Sequence, residues 1–331
     1  MAADLIHVLA PHPVALAIAV LADLALGDPV YRWHPVRLVG DALNLCENGL
    51  RAIGADGYGG GIALFAMLAA GSVAVVTAIL FAALSFTPSL AWLLHVLLLY
   101  ALLALGALLR HVWRVERAVA RGDLAAARAA VSELVGRDTD RMDGSACRRA
   151  AIESLSENLT DGFTSALFWY ALAGLPGLVV FKVVSTMDSM VGYRTPRYRR
   201  FGWCGARLDD AMNYLPARLT WLLIAAVAAA LPGCSPRKAL VFGLRHHALL
   251  PSPNSGWSEA ATAGAIRRRL VGPIWKQGAL VTDIWLGDPG DPPAGTRDDM
   301  LRAMILTTAV GLVAATGAAG ALLLLQHHAG P

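Results

Sequence analysis

Three long apolar runs, at 61–86, 89–109 and 303–325, set the first limit on this chain. Each is long enough to cross the hydrocarbon core of a bilayer, which takes about 20 helical residues. Lipid offers no hydrogen bonds to a backbone, so such runs must fold as helices. Shorter or more broken candidates lie at 14–26, 163–184 and 215–231. Only 16% of the 331 residues are charged, against about 25% in a soluble domain. The expectation is an all-α, polytopic membrane protein with about four to six membrane segments, built as one integral domain over residues 1–331.

The basic residues refine this picture. All 28 Lys and Arg fall at 28–60, 110–162, 182–218 and 232–302. By the positive-inside rule the termini lie outside and the connections at 110–162 and 232–302 are cytoplasmic. Region 182–218 conflicts with that rule, because two full spans around it would put its seven basic residues outside. Short, paired or re-entrant flanking segments would remove the conflict. The start, MAADLIH, has no basic n-region and is not expected to be a cleavable signal. Cys46, Cys147, Cys204 and Cys234 lie too far apart to suggest a disulfide framework or a zinc site.

Between the spans, 110–160 reads as a soluble, amphipathic helical insert, with Asp123 as a helix cap and Gly136 as a stop. Asp143 or Ser145 would cap the helix that follows. The polar region, about 150–290, carries the chemistry. Glu153, Glu157 and Asp161 fall at helical i, i+4 and i+8, with Asn158 beside them. Like charges on one face repel, so the row calls for Mg²⁺ or for an arginine from another helix; a solvated face is the plain alternative.

Asp188 then sits in a near-apolar helix, followed by Tyr193, Arg194, Arg197, Tyr198, Arg199 and Arg200. Arginine suits bidentate binding of phosphate or carboxylate. Arg199 and Arg200 equally suit lipid head groups, whereas Arg194 and Tyr198 are better placed for substrate. In ARLDDAMNYLPAR, Asp209, Asp210 and Asn213 share a helix side and form a hard-cation site. Arg207 and Arg218 flank it and favour a phosphate–metal reading.

Asp28, His34 and Arg37 follow the first apolar segment. Pro35 keeps His34 extended. Further on, Ser252, Asn254 and Ser255 form a turn, Ser255 or Ser258 would cap the next helix, and Glu259 lies on it. Free N–H groups there can hold an anion. The run GYGGGI at 57–62 has no preceding strand and no lysine after it, so it reads as a flexible entry to a span. P-loop, GxSxG and HExxH motifs are absent, as are nucleic-acid-binding signatures.

In order along 20–288, the strings Asp23…GDP…HPV…G, RDT with Asp143, ESLSENLTDG, MDSMVGYR…RYRRFGW, ARLDD…N…PARLT and SPNSGWSEAATAGA…WLGD resemble the adenosylcobinamide-phosphate synthases of cobalamin biosynthesis. The resemblance implies a multi-pass protein of the bacterial inner membrane. It also implies an ATP-dependent amide ligase that uses Mg²⁺ and joins adenosylcobyric acid to an aminopropanol phosphate. Membrane lipids surround such a protein, and other late corrinoid enzymes are compatible partners. Within it, Asp209 and Asp210 would hold Mg²⁺, with Glu153 or Glu157 as a further ligand. Arg194 and Arg218 would clamp phosphate, and Glu157 or Asp188 would accept a proton.

Asp28, His34, Asn158, Asp161, Tyr193, Tyr198, Arg207, Asn213, Ser252, Asn254 and Glu259 are the remaining substrate candidates. Ser185, Arg194 and Ala166 stand where the family pattern leads one to expect asparagine, lysine and proline. A second reading, from the Asp-Asp-x-x-Asn pattern alone, is a Mg²⁺-dependent membrane transferase acting on a phosphorylated lipid. A transporter is the third, disfavoured by the absence of internal repeats.

Overall fold

Hydrophobic patterning on this scale leaves the backbone one option, and the computed structural model, which describes residues 2–28 and 31–328, is helical nearly throughout. In chain order the helices are α1 (Ala2–Leu9), α2 (Pro13–Leu26), α3 (Pro35–Ala52), α4 (Tyr58–Phe86), α5 (Pro88–Ala101), α6 (Leu105–Ala120) and α7 (Leu124–Ser132). Then come α8 (Gly144–Asn158), α9 (Ser165–Val191), α10 (Trp203–Ala230), α11 (Pro236–His246), α12 (Ser255–Ile266) and α13 (Arg297–His328). A π-helical turn, Leu159–Thr164, joins α8 to α9. Short antiparallel ladders pair β1 (Leu270–Val271) with β4 (Trp285–Leu286) and β2 (Ile274–Lys276) with β3 (Ala279–Thr282). They add a small feature to the expected all-α architecture.

Six stretches among the described residues are long and apolar enough to span a membrane: Ala3–Leu26, Tyr58–Phe86, Pro88–Ala120, Gly144–Val191, Trp203–Ala230 and Arg297–His328. Helix α4 leaves Ile62, Met67, Val75, Ile79 and Phe86 exposed. Water would penalise so continuous an apolar face, whereas lipid does not. The protein is an all-α, multi-pass membrane protein.

The chain divides into two compact units. The first comprises Met1–Ala104, Ser165–Asn213 and Ala315–Pro331. In it α4 packs on α3, α5 and α9, and α3 also meets α9. Leu43, Leu64, Leu68, Val183, Met187, Val191 and Phe201 form its shared core. Helix α9 is broken at Ala173 and Gly174, just before Pro176. Gly174 has φ +63°, and a Cβ there would lie 2.1 Å from the Leu9 carbonyl oxygen, so only glycine fits the break. The fully buried His95 is satisfied on both nitrogens, by the Val8 carbonyl at 2.6 Å and the Tyr170 hydroxyl at 2.7 Å.

Run 57–62 is a correction to the sequence reading. Gly60 and Gly61 belong to the first turn of α4, and a Cβ on them would lie 1.9 Å from the Ala55 oxygen and 2.0 Å from the Phe201 oxygen. These glycines permit close backbone approach; they are not a flexible lead-in.

The second unit comprises Leu105–Thr164 and Tyr214–Ala314. Helices α11 and α12 pack closely, and α8 contacts α6, α7, α12 and β1. Asp123 caps α7 by accepting from Ala126 N at 2.9 Å, and Asp143 caps α8 by accepting from Ala146 N at 2.7 Å. Gly136 is not the stop of α7. That helix ends at Ser132, and the chain tightens as Leu134 N bonds the Val131 carbonyl at 2.8 Å. Because Asp143 starts the helix that carries Glu153 and Glu157, Asp143→Ala is expected to cost about 1 kcal/mol. Thermal unfolding in detergent should show that loss, and Asp143→Ser should recover most of it.

Candidate functional site

Local helix geometry brings Glu153 and Glu157 to one side of α8, one turn apart. Asp161 does not continue the row. It lies in the π-helical turn, whose wider winding shifts it out of the i+4 series, and Thr164 Oγ1 closes that turn on the Leu159 carbonyl at 2.9 Å. Such π segments often mark functional positions. The third acid comes from α12: Glu259 faces the charges of Glu157 and Glu153. Its side chain is buried, and Oε2 has no hydrogen-bond partner among the described residues. Burial, and after it the Glu157 and Glu153 charges, lifts the Glu259 carboxyl well above its ordinary range.

Arginines from two directions meet this acid group. Arg137 pairs with Glu153 at 2.6 Å, both side chains being largely enclosed. Arg149, also felt by Glu153, donates to the Val271 carbonyl at 3.1 Å and lies over Trp285. Val271 itself has φ +68°, a strained value for a β-branched residue. Asn158 donates to Ser154, to its carbonyl at 2.9 Å and its hydroxyl at 3.2 Å.

At the start of α12, Ser252 Oγ accepts from Asn254 N at 3.2 Å and Ser255 N at 3.3 Å. Ser252 therefore organises this turn, and neither Ser255 nor Ser258 caps the helix, whose N-cap is Asn254. Asn254 Oδ1 accepts from Arg218 at 3.2 Å, and the Arg218 guanidinium is held between the rings of Tyr214 and Trp257. Arg218 is thus presented rigidly, as an anion-binding guanidinium needs to be.

The first unit holds a separate set. Asp188, near the end of α9, lies close enough to Asp210 for the two carboxylates to repel. Arg194 is near Asp210 as well, and Arg207 approaches it to 3.6 Å. Asp209 Oδ2 accepts from Asn213 Nδ2 at 3.0 Å, while Asn213 Oδ1 accepts from Ser165 at 2.5 Å. Asn213 is committed to that chain and is buried. Tyr193 is exposed, and Tyr198 is half-buried beneath Arg51 and Arg197.

Asp28 and His34 pair at 3.0 Å, with His34 extended at the start of α3 as Pro35 requires. They line a cavity of about 510 Å³ together with Arg37, Lys182, Ser185, Thr186 and Ser189. Lys182, Thr186 and Ser189 were not among the sequence candidates. Their spacing along α9 marks one polar face, but only α3 and the segment after α5 show that it borders a cavity.

Among the described residues no three His, Cys, Asp or Glu side chains gather into a closed metal cage. Mg²⁺ seldom requires one, since it takes one or two carboxylates and completes its shell with phosphate and water. Asp188 and Asp210, two mutually repelling carboxylates beside an arginine, fit that demand. Asp209, engaged by Asn213, fits it less well.

Together these features define a multi-pass membrane protein with enclosed acids and arginines held by neighbouring side chains. Comparison with known proteins makes the assignment specific. The model of the CobD/Cbib protein family matches residues 16–307. A cobalamin biosynthesis protein CobD from Rhizobium meliloti (strain 1021) is 41% identical over 320 residues, 94% of this chain and 97% of that protein. A CobD from Sinorhizobium sp is 41% identical over 292 residues, 86% and 90% of the two chains. A cobalamin biosynthesis protein CbiB from Salmonella arizonae is 37% identical over 279 residues, 83% and 87%. The chain belongs to the CobD/Cbib family of cobalamin biosynthesis proteins. No solved structure matches it.

Proposed function

We propose that this protein is an adenosylcobinamide-phosphate synthase that uses ATP and Mg²⁺ to join a side-chain carboxylate of adenosylcobyric acid to the amine of aminopropanol phosphate. Beyond the family itself, the observation that carries this reading is the enclosed carboxylate of Glu259, set against Glu157 and Glu153. Amide formation needs a proton acceptor with a raised affinity for protons, and burial among like charges produces one.

The chemistry follows from the weakness of a carboxylate as an acyl donor. Transfer of the γ-phosphoryl group from ATP to the corrinoid carboxylate gives an acyl phosphate and ADP. The amine of aminopropanol phosphate attacks the acyl carbon, the C–N bond forms, and inorganic phosphate leaves with the C–O bonding pair. The proton released from the ammonium passes to Glu259 or Glu157. Arg218, fixed between Tyr214 and Trp257, is suited to hold a substrate phosphate or carboxylate. Asp188 and Asp210 would hold Mg²⁺, which would supply charge neutralisation for the substrate phosphates.

Detergent-purified protein should produce ADP and amidated corrinoid only when adenosylcobyric acid and aminopropanol phosphate are both present with ATP. Unchanged ATP, together with conversion of a phosphorylated lipid, would sink the ligase reading in favour of a membrane transferase.

A further inference from the structure

The segment between α9 and α10 folds back on itself and is pinned at both ends. Arg199 N bonds the Thr195 carbonyl at 2.8 Å and Gly202 N bonds the Tyr198 carbonyl at 2.7 Å. A Cβ at Gly202 would lie 1.7 Å from the Val191 oxygen, and the Phe201 oxygen rests on Gly61 of α4. The buried ring of Phe201 anchors the segment in the core of the first unit. Its arginines therefore project from a fixed platform.

Beside this platform lies a hollow of about 470 Å³, lined by Arg51, Asp56, Gly57, Arg194, Pro196, Arg197, Arg199 and Arg200. Its size falls within the ~300–1,000 Å³ of small-ligand sites. Glu47, almost fully enclosed, holds two of these arginines: Arg51 Nε at 2.7 Å and Arg197 at 3.0 Å. Arg51 also lies 4.6 Å above the ring of Phe201. The guanidinium groups of Arg199 and Arg200 have no hydrogen-bond or ion-pair partner among the described residues. The lining thus brings five guanidiniums together with one carboxylate, Asp56, and Glu47 backs two of them, so these groups carry a positive excess of three. Arg194, on its lining, is also near the Asp210 carboxylate, which in turn faces Asp188.

We propose that this hollow binds the phosphate chain of a nucleoside triphosphate. A single carboxylate or phosphate monoester would leave most of the excess charge unmatched, whereas a di- or triphosphate offers several bidentate partners at once. Neighbouring carboxylates able to take a divalent cation suit the same ligand, because Mg²⁺ is commonly held by one or two carboxylates plus substrate phosphates. The inference rests on the reading that the protein consumes ATP, and it names residues for that ligand: Arg51, Arg194, Arg199 and Arg200. Glu47 is a positioning residue, acting through Arg51 and Arg197. Phospholipid head groups carry the same phosphate chemistry, and the test separates the two sources.

The probe is inorganic triphosphate, titrated by calorimetry into lipid-free, detergent-purified protein, with ATP turnover followed in parallel. Arg199→Ala/Arg200→Ala alters exposed side chains only and should leave the fold intact. It should weaken triphosphate binding by about tenfold for each guanidinium removed and raise KM for ATP in step. Arg199→Lys/Arg200→Lys, which keeps the charge and loses the fork, should fall between. Triphosphate binding by the wild type that is unchanged in the double alanine variant would overturn the inference.

So would a wild type that ignores triphosphate in detergent but gains thermal stability in nanodiscs containing phosphatidylglycerol over phosphatidylcholine alone, the gain vanishing in the variant. Binding of triphosphate lost in the variant, with no ATP consumption by the wild type on its full substrate set, would support the hollow and remove the ligase reading instead. ATP turnover with an unchanged KM in the variant would do the reverse.

Discussion

Glu259→Gln is expected to lower amide formation by about 10²–10⁴-fold, the usual worth of a proton acceptor, while leaving the folded protein as stable as before or more so. The two effects share one cause. Glu259 is buried and faces the charges of Glu157 and Glu153, so its ionised form is costly in the native state. Glutamine keeps the shape and removes that charge. Stability against pH should change with it. A carboxyl whose folded pKa is raised contributes stability that is complete below its ordinary value of 4.5 and is lost as pH rises through the folded value. The thermal midpoint of the wild type in detergent should therefore carry a component that declines above pH 4.5, and Glu259→Gln should be flatter over that range. If the variant keeps kcat within a few-fold, Glu259 is not the proton acceptor. If its pH profile of stability matches the wild type, the carboxyl is not perturbed as described.

The second large effect is structural. Gly61→Ala places a methyl group 2.0 Å from the Phe201 oxygen, a distance no packed structure accommodates. Either the first turn of α4 or the arginine-bearing segment must move, and overpacking of this kind costs about 1–3 kcal/mol or more. Gly71→Ala on the same helix is the control, since nothing lies within 4 Å of a Cβ there. Alanine favours helix over glycine by about 1 kcal/mol, so Gly71→Ala should be neutral or stabilising. Gly61→Ala should lower the thermal midpoint clearly and weaken triphosphate binding with it, because Phe201 holds the segment that carries Arg199 and Arg200. Equal behaviour of the two alanine variants would show that the contact at Gly61 has no structural weight.

Much of the protein was legible along the chain because its signals are local. Apolar length alone marks the spans, and Asp123 and Asp143 reveal themselves as caps by their position before helix-forming runs. Pro35 fixes the extended backbone of His34. Spacing suggested that Glu153 and Glu157 share a face, and α8 confirms it as a regular helix through both. Where the expectation for Asp161 failed, the reason was a change in winding, which α-helical spacing cannot anticipate. Gly60 and Gly61 misled for a related reason: glycine's lack of a side chain serves flexibility and close contact equally, and only the Ala55 and Phe201 carbonyls distinguish the two.

Sequence by itself determined the class of fold, the membrane setting and the chemical types present, because hydropathy, helix period and residue chemistry act over a few neighbouring positions. Tertiary structure decided which groups meet. Glu259 joins Glu157 from a helix about one hundred residues further along, and Arg51 joins Arg194, Arg199 and Arg200 across a still longer gap. Charge and desolvation depend on distance through space, and distance along the chain says nothing of that until the core has closed.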